Sequence, residues 1–97
     1  MELRKAPRYN LRLPFRIVRQ GHQSVSVAGE TRNLSAKGVL FKSETPLRVG
    51  DLVEYVITLP SAPGPEGPAR LHCLGKVVRF GRNAEIAATL ERYEFVR

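Results

Sequence analysis

The sequence predicts an all-β domain, a six-stranded antiparallel barrel, and three observations carry that expectation. Short segments of alternating apolar and polar residues recur along the chain, clusters of Gly, Pro, Asn and Asp punctuate them, and no segment shows the 3.6-residue period of an amphipathic helix. Short strands at this spacing with no intervening helices favour a barrel or sandwich over an α/β arrangement. At 97 residues and 42% apolar content the chain suits one domain, residues 1–97, because a chain of this length buries a single core and seldom divides.

Residues 1–10 read as a flexible basic segment, and residues 11–90 as the barrel. Phe15 and Ile17 suggest the first strand and Val25 and Val27 the second, with a turn at Gly21 between them. Asn33 to Gly38 reads as the next turn, and Val39 to Phe41 as the third strand. After the Val49-Gly50-Asp51 turn, Leu52 to Leu59 places Val53, Tyr55, Ile57 and Leu59 on one face and Glu54 and Thr58 on the other. Four prolines and two glycines within Pro60 to Pro68 exclude regular structure there. Leu71, Cys73, Gly75 and Val77 alternate again, and the apolar phase then shifts to Val78 and Phe80, which predicts a bulge near Gly75 to Val78. Phe15, Phe41 and Phe80 read as core positions. A turn at Gly81-Arg82-Asn83 leads to the last strand, Glu85 to Leu90, and residues 91–97 read as a tail or the start of a short C-terminal helix docking on the barrel.

The net charge of +7 is unevenly placed: residues 1–20 carry Arg4, Lys5, Arg8, Arg12, Arg16 and Arg19 against Glu2 alone. A cationic end of this kind attracts anions, whether nucleotide, nucleic acid or lipid surface, and a solvated basic tail is the plain alternative. No run approaches the ~18 apolar residues of a membrane span and the N-terminus shows no secretory h-region, so the expected compartment is the cytoplasm, with no membrane partner. Cys73, the only cysteine, reads as a small core residue. It is adjacent to His72, so in a strand the two point to opposite faces; with His22 the only other histidine, a metal site is not expected. No nucleophile elbow, phosphate loop or dinucleotide fingerprint occurs and the acidic residues are scattered, which argues against an enzyme and against a cofactor.

Two short motifs point to a ligand. In Arg4-Lys5-Ala6-Pro7-Arg8, Pro7 disfavours helix, so the segment should be extended, and each guanidinium offers a rigid fork that can grip a phosphate or the O6/N7 edge of guanine. In Asn33-Leu34-Ser35-Ala36-Lys37-Gly38, a plain hairpin turn would use the same residues; alternatively the Asn33 amide reads a base edge while Ser35 and the turn amides face a phosphate. The Asn33-Leu34-Ser35 match to the glycosylation pattern is discounted, since no secretory signal precedes it.

The combination of Arg-x-x-x-Arg with Asn-x-Ser-x-x-Gly some 25 residues later resembles the PilZ domain family, whose members bind cyclic di-GMP. The resemblance continues through Leu13-Pro14-Phe15, Gly38-Val39-Leu40-Phe41, Val49-Gly50-Asp51, Leu59-Pro60 and Gly75-Lys76-Val77-Val78-Arg79. It implies a PilZ-like split barrel in a bacterial, cytoplasmic signal-transduction protein that answers a second messenger. Arg4 and Arg8 would wrap over the nucleotide, and Asn33, Ser35 and Gly38 would hold a guanine. Binding would alter a surface read by a downstream protein partner. Two departures stand out. Asn33 occupies a position that is often Asp in the family. In Ile86-Ala87-Ala88-Thr89-Leu90, Ala87 and Leu90 stand where Gly and an aromatic are usual, a change expected to affect packing before the site.

Two other readings compete. One is a PilZ-like protein-interaction adaptor that binds no nucleotide. The other, ranked last, is a barrel for single-stranded nucleic acid: it needs stacking aromatics on the charged face, and the net positive charge here is concentrated at one end. Tyr9, beside Arg8, reads as lid packing rather than as a base-stacking residue.

Overall fold

The computed structural model describes residues 9–44, 46–60 and 69–96. Arg4, Arg8 and most of the predicted Pro60 to Pro68 loop lie outside them. Among the described residues there are seven strands and no helix: β1 (Pro14–Gln20), β2 (Gln23–Ser35), β3 (Gly38–Lys42), β4 (Leu52–Leu59), β5 (Ala69–Phe80), β6 (Glu85–Thr89) and β7 (Arg92–Val96). All pairings are antiparallel. The order β4-β1-β2-β3-β6-β5 closes through a further β4–β5 pairing into the expected six-stranded barrel, and β7 is added to β5 outside that circuit.

Period-2 alternation places the core. Val53, Tyr55 and Ile57 of β4 point inward with Phe15 and Ile17 of β1, Phe41 of β3, and Cys73 and Val77 of β5. Phe15 stacks on Phe41 with ring centroids 4.2 Å apart and lies 5.2 Å from the tilted ring of Tyr55, so aromatic rings from three strands bridge the interior. Each such ring, fully buried, contributes about 1.5–3 kcal/mol of hydrophobic stabilisation. The one polar end of this stack is satisfied, because the Tyr55 hydroxyl donates to the Thr89 carbonyl at 2.9 Å.

β5 changes partners along its length. Ala69 to Lys76 pair with β4, whereas Val77, Arg79 and Phe80 pair with β6, and the register slips at Val78. Gly75 sits at the crossing: a Cβ there would lie 1.8 Å from the Thr89 carbonyl oxygen, so only glycine lets β5 pass β6 this closely.

Three expectations are corrected. The expected tail or helix start at residues 91–97 is no helix over its described part: Arg92 to Val96 form β7, because β5 extends beyond the end of β6 and leaves Arg70 to Leu74 with a free edge that this alternating segment fills. The Asn33 to Gly38 turn shrinks to Ala36 and Lys37, since β2 runs on to Ser35 and pairs with Gly38. The bulge falls where expected, but it turns Val78 outward and leaves Phe80 half exposed, so Phe80 is no core residue.

Candidate ligand-binding face

The ends of β2 and β3, joined by the Ala36-Lys37 turn, sit beside β6 and the far end of β5. Register brings their outward positions together. Gly38 lies opposite Thr89, and Leu40 opposite Ala87. The result is a shallow groove of about 230 Å³ that holds all three described members of the predicted site, Asn33, Ser35 and Gly38. Gly38 and Ala87 keep the floor low, and Leu40 and Val78 give it apolar surface suited to the face of a flat ring. Lys37 and Arg79 supply positive charge, and among the described residues no acidic one lines the groove.

Local chemistry explains part of the motif without a ligand. The Ser35 hydroxyl accepts the Lys37 amide N–H at 3.2 Å and lies 3.5 Å from the Gly38 carbonyl, which is how a serine closes a tight turn. A Cβ at Gly38 would come within 2.9 Å of the Ala88 carbonyl oxygen, so glycine serves the close approach of β3 to β6. Asn33 is different: among the described residues its amide makes no hydrogen bond, so both donor and acceptor remain for the groove. The Thr89 hydroxyl is already engaged, accepting from the Lys76 amide at 3.0 Å and donating to Glu91 Oε2 at 2.7 Å.

The segment before β1 is anchored along β2. Tyr9 and Leu34 exchange two backbone hydrogen bonds, each 2.9 Å. Further on, the buried Thr31 hydroxyl accepts the Leu13 amide at 2.8 Å and donates to the Leu11 carbonyl at 2.5 Å, while the Thr31 amide donates to the Leu13 carbonyl at 3.0 Å. Tyr9, the residue that follows Arg8, is thus pinned to the residue between Asn33 and Ser35. The Tyr9 side chain, half exposed, lines an apolar groove with Leu34, Leu71, Leu90, Tyr93 and Phe95.

A larger recess of about 410 Å³ lies on the outside of β4, β5 and β7, where Glu54 contacts Arg19 and His72 at 3.4 and 3.3 Å. Its lining includes the carboxylates Glu54 and Glu94, which suits an anionic ligand less well than the Lys37 and Arg79 groove does. Among the described residues no cluster of three metal-ligating side chains occurs. Cys73 is buried, and burial pushes its thiol up to about 12, which keeps it protonated and unreactive at neutral pH.

Sequence reasoning missed Lys37, Val78, Arg79, Ala87 and Thr89 as parts of this face. Ala87 and Thr89 of β6, a strand expected to be mainly framework, line the groove, so the Ala87 departure falls on this face. Lys37 stood inside the motif and Arg79 at the end of a matching segment, but their convergence depends on the β3–β6 register and on the Val78 bulge.

The family model described as the PilZ domain matches residues 2–96, nearly the whole chain. No curated protein matches the sequence.

Proposed function

The chain belongs to the PilZ domain family, whose members are binding domains for cyclic di-GMP, and from that premise we propose that it is a receptor which takes this nucleotide on the β2–β3–β6 face. The observation that carries the reading is the Tyr9–Leu34 bridge. It fixes Tyr9, the residue after Arg8, beside Asn33 and Ser35 at the edge of the groove that would read a base.

In this reading one guanine lies over Gly38 and Ala87 between Leu40 and Val78, with its edge on the Asn33 amide. Lys37, Arg79, Arg8 and Arg4 neutralise the phosphates, the arginines with two-point hydrogen bonds. Closing residues 1–8 over the ligand changes the surface around Tyr9, and a downstream protein in the bacterial cytoplasm reads that change. The protein performs no catalysis and needs no cofactor; nucleotide occupancy is the signal.

A nucleotide-free adaptor remains the second reading, because the turn bonds of Ser35 and the β3–β6 contact at Gly38 account for two motif residues by folding alone. Isothermal titration of cyclic di-GMP into the whole chain and into Arg8→Ala separates the two. Saturable binding at low salt, lost in a folded Arg8→Ala variant and weakened by added salt, is expected. A folded wild-type chain that takes up no nucleotide would leave the adaptor.

A further inference from the structure

β7 ends the sheet, and among the described residues nothing pairs with its outer edge. All five of its residues are exposed. Such an edge carries unpaired N–H and C=O groups and is a template for another strand; Arg92 to Val96 contains no proline and no bulge, and its two charges, Arg92 and Glu94, are of opposite sign, so they repel a partner strand only in some registers.

The side chains of β7 specify what the edge accepts. Tyr93 and Phe95 lie opposite Cys73 and Leu71, on the face of β5 that looks into the barrel, yet they are 57% and 65% exposed. Their rings meet edge-on at 6.1 Å and border the apolar groove of about 280 Å³ that also includes Tyr9, Leu34 and Leu90. Arg92 and Glu94 occupy the other face.

We propose that this edge joins a second copy of the chain, β7 against β7 in antiparallel register about a two-fold axis at Tyr93. In that register Arg92 faces the partner's Glu94 and Glu94 faces the partner's Arg92, while Tyr93 meets the partner's Tyr93. Opposite charges directly across a pair stabilise a sheet, as do paired aromatics, and the contact is the same patch on both copies. Sliding the axis to Glu94 sets the two Glu94 side chains face to face, and moving it to Phe95 sets Glu94 opposite Val96, so the charges select one register. The product is a sheet running β5-β7-β7-β5 through both barrels, with the four exposed aromatic rings gathered on its inner face.

Sedimentation velocity of the full chain over a range of concentrations tests this. The wild type should shift towards twice the mass of one chain as concentration rises. Glu94→Arg and Arg92→Glu, each with an unchanged circular dichroism spectrum, should stay at one chain, because each places like charges opposite each other. An equimolar mixture of the two variants should form dimers, since every cross-strand pair is then complementary, and the double variant Arg92→Glu/Glu94→Arg should dimerise alone. A wild type that stays at one chain throughout, single variants that dimerise as the wild type does, or a mixture that stays monomeric would each overturn the proposal.

Discussion

Replacing Thr31 with valine tests how the N-terminal segment is held beside the binding face. Thr31 is fully buried, and its hydroxyl serves both the Leu13 amide and the Leu11 carbonyl. Valine fills the same space but leaves the Leu13 N–H without that acceptor, at a cost of about 1–3 kcal/mol for a buried unsatisfied group. The extra methyl returns up to ~0.8 kcal/mol of apolar burial, but the Leu11 carbonyl loses its donor as well, so the net loss should be about 1–2 kcal/mol. In urea unfolding the midpoint should fall with an unchanged slope. Because this anchor holds Leu11 and Leu13 along β2 next to Tyr9, the proposed function predicts that cyclic di-GMP affinity should fall as well. Thr31→Ser separates the two effects: it keeps the hydroxyl, so it should lose stability through the missing methyl yet keep its affinity. A Thr31→Val protein within about 0.5 kcal/mol of wild type, the level at which surface substitutions scatter, and equal in affinity would refute the anchoring argument.

Gly75→Ala forces a Cβ to within 1.8 Å of the Thr89 carbonyl oxygen, so β5 and β6 must separate; a loss of ~3 kcal/mol or more, or failure to fold, is expected in thermal melts. Asn33→Asp puts a carboxylate where guanine N–H groups would donate, and charge-assisted bonds are roughly twice as strong as neutral ones, so titration should show tighter binding of cyclic di-GMP. Burial raises the Cys73 thiol from 9.0 to about 12 and moves the Tyr55 hydroxyl in the same direction. The folded chain therefore keeps protons that the unfolded chain releases, and stability should fall as pH rises from 9 towards 12. Urea unfolding across that interval should show a smaller decline for Cys73→Ala.

Much of the barrel was legible because burial in β4 and the first half of β5 follows strict alternation, and Phe15, Phe41 and Tyr55 stand at the inward positions of that pattern. β7 was not legible: Tyr93 and Phe95 do alternate with Arg92 and Glu94, but the segment is too short for that pattern to decide, and both of its faces are exposed. Phe80 misled for a related reason: an aromatic beyond a bulge lies off the register that its neighbours define. Asn33, Ser35 and Gly38 could be found as a motif because they are close in sequence. Arg79, Ala87 and Thr89 reach the same groove from other strands, and their places are set by pairing register, which the residues alone do not express.

Whether cyclic di-GMP occupies the β2–β3–β6 face is decided by amide chemical-shift mapping of the whole chain during nucleotide titration. The largest shifts should cluster at Tyr9, Asn33, Ser35, Gly38, Arg79, Ala87 and Thr89 and saturate with a common affinity. Shifts confined to the Glu54 and His72 recess, or none with nucleotide in excess, would contradict it.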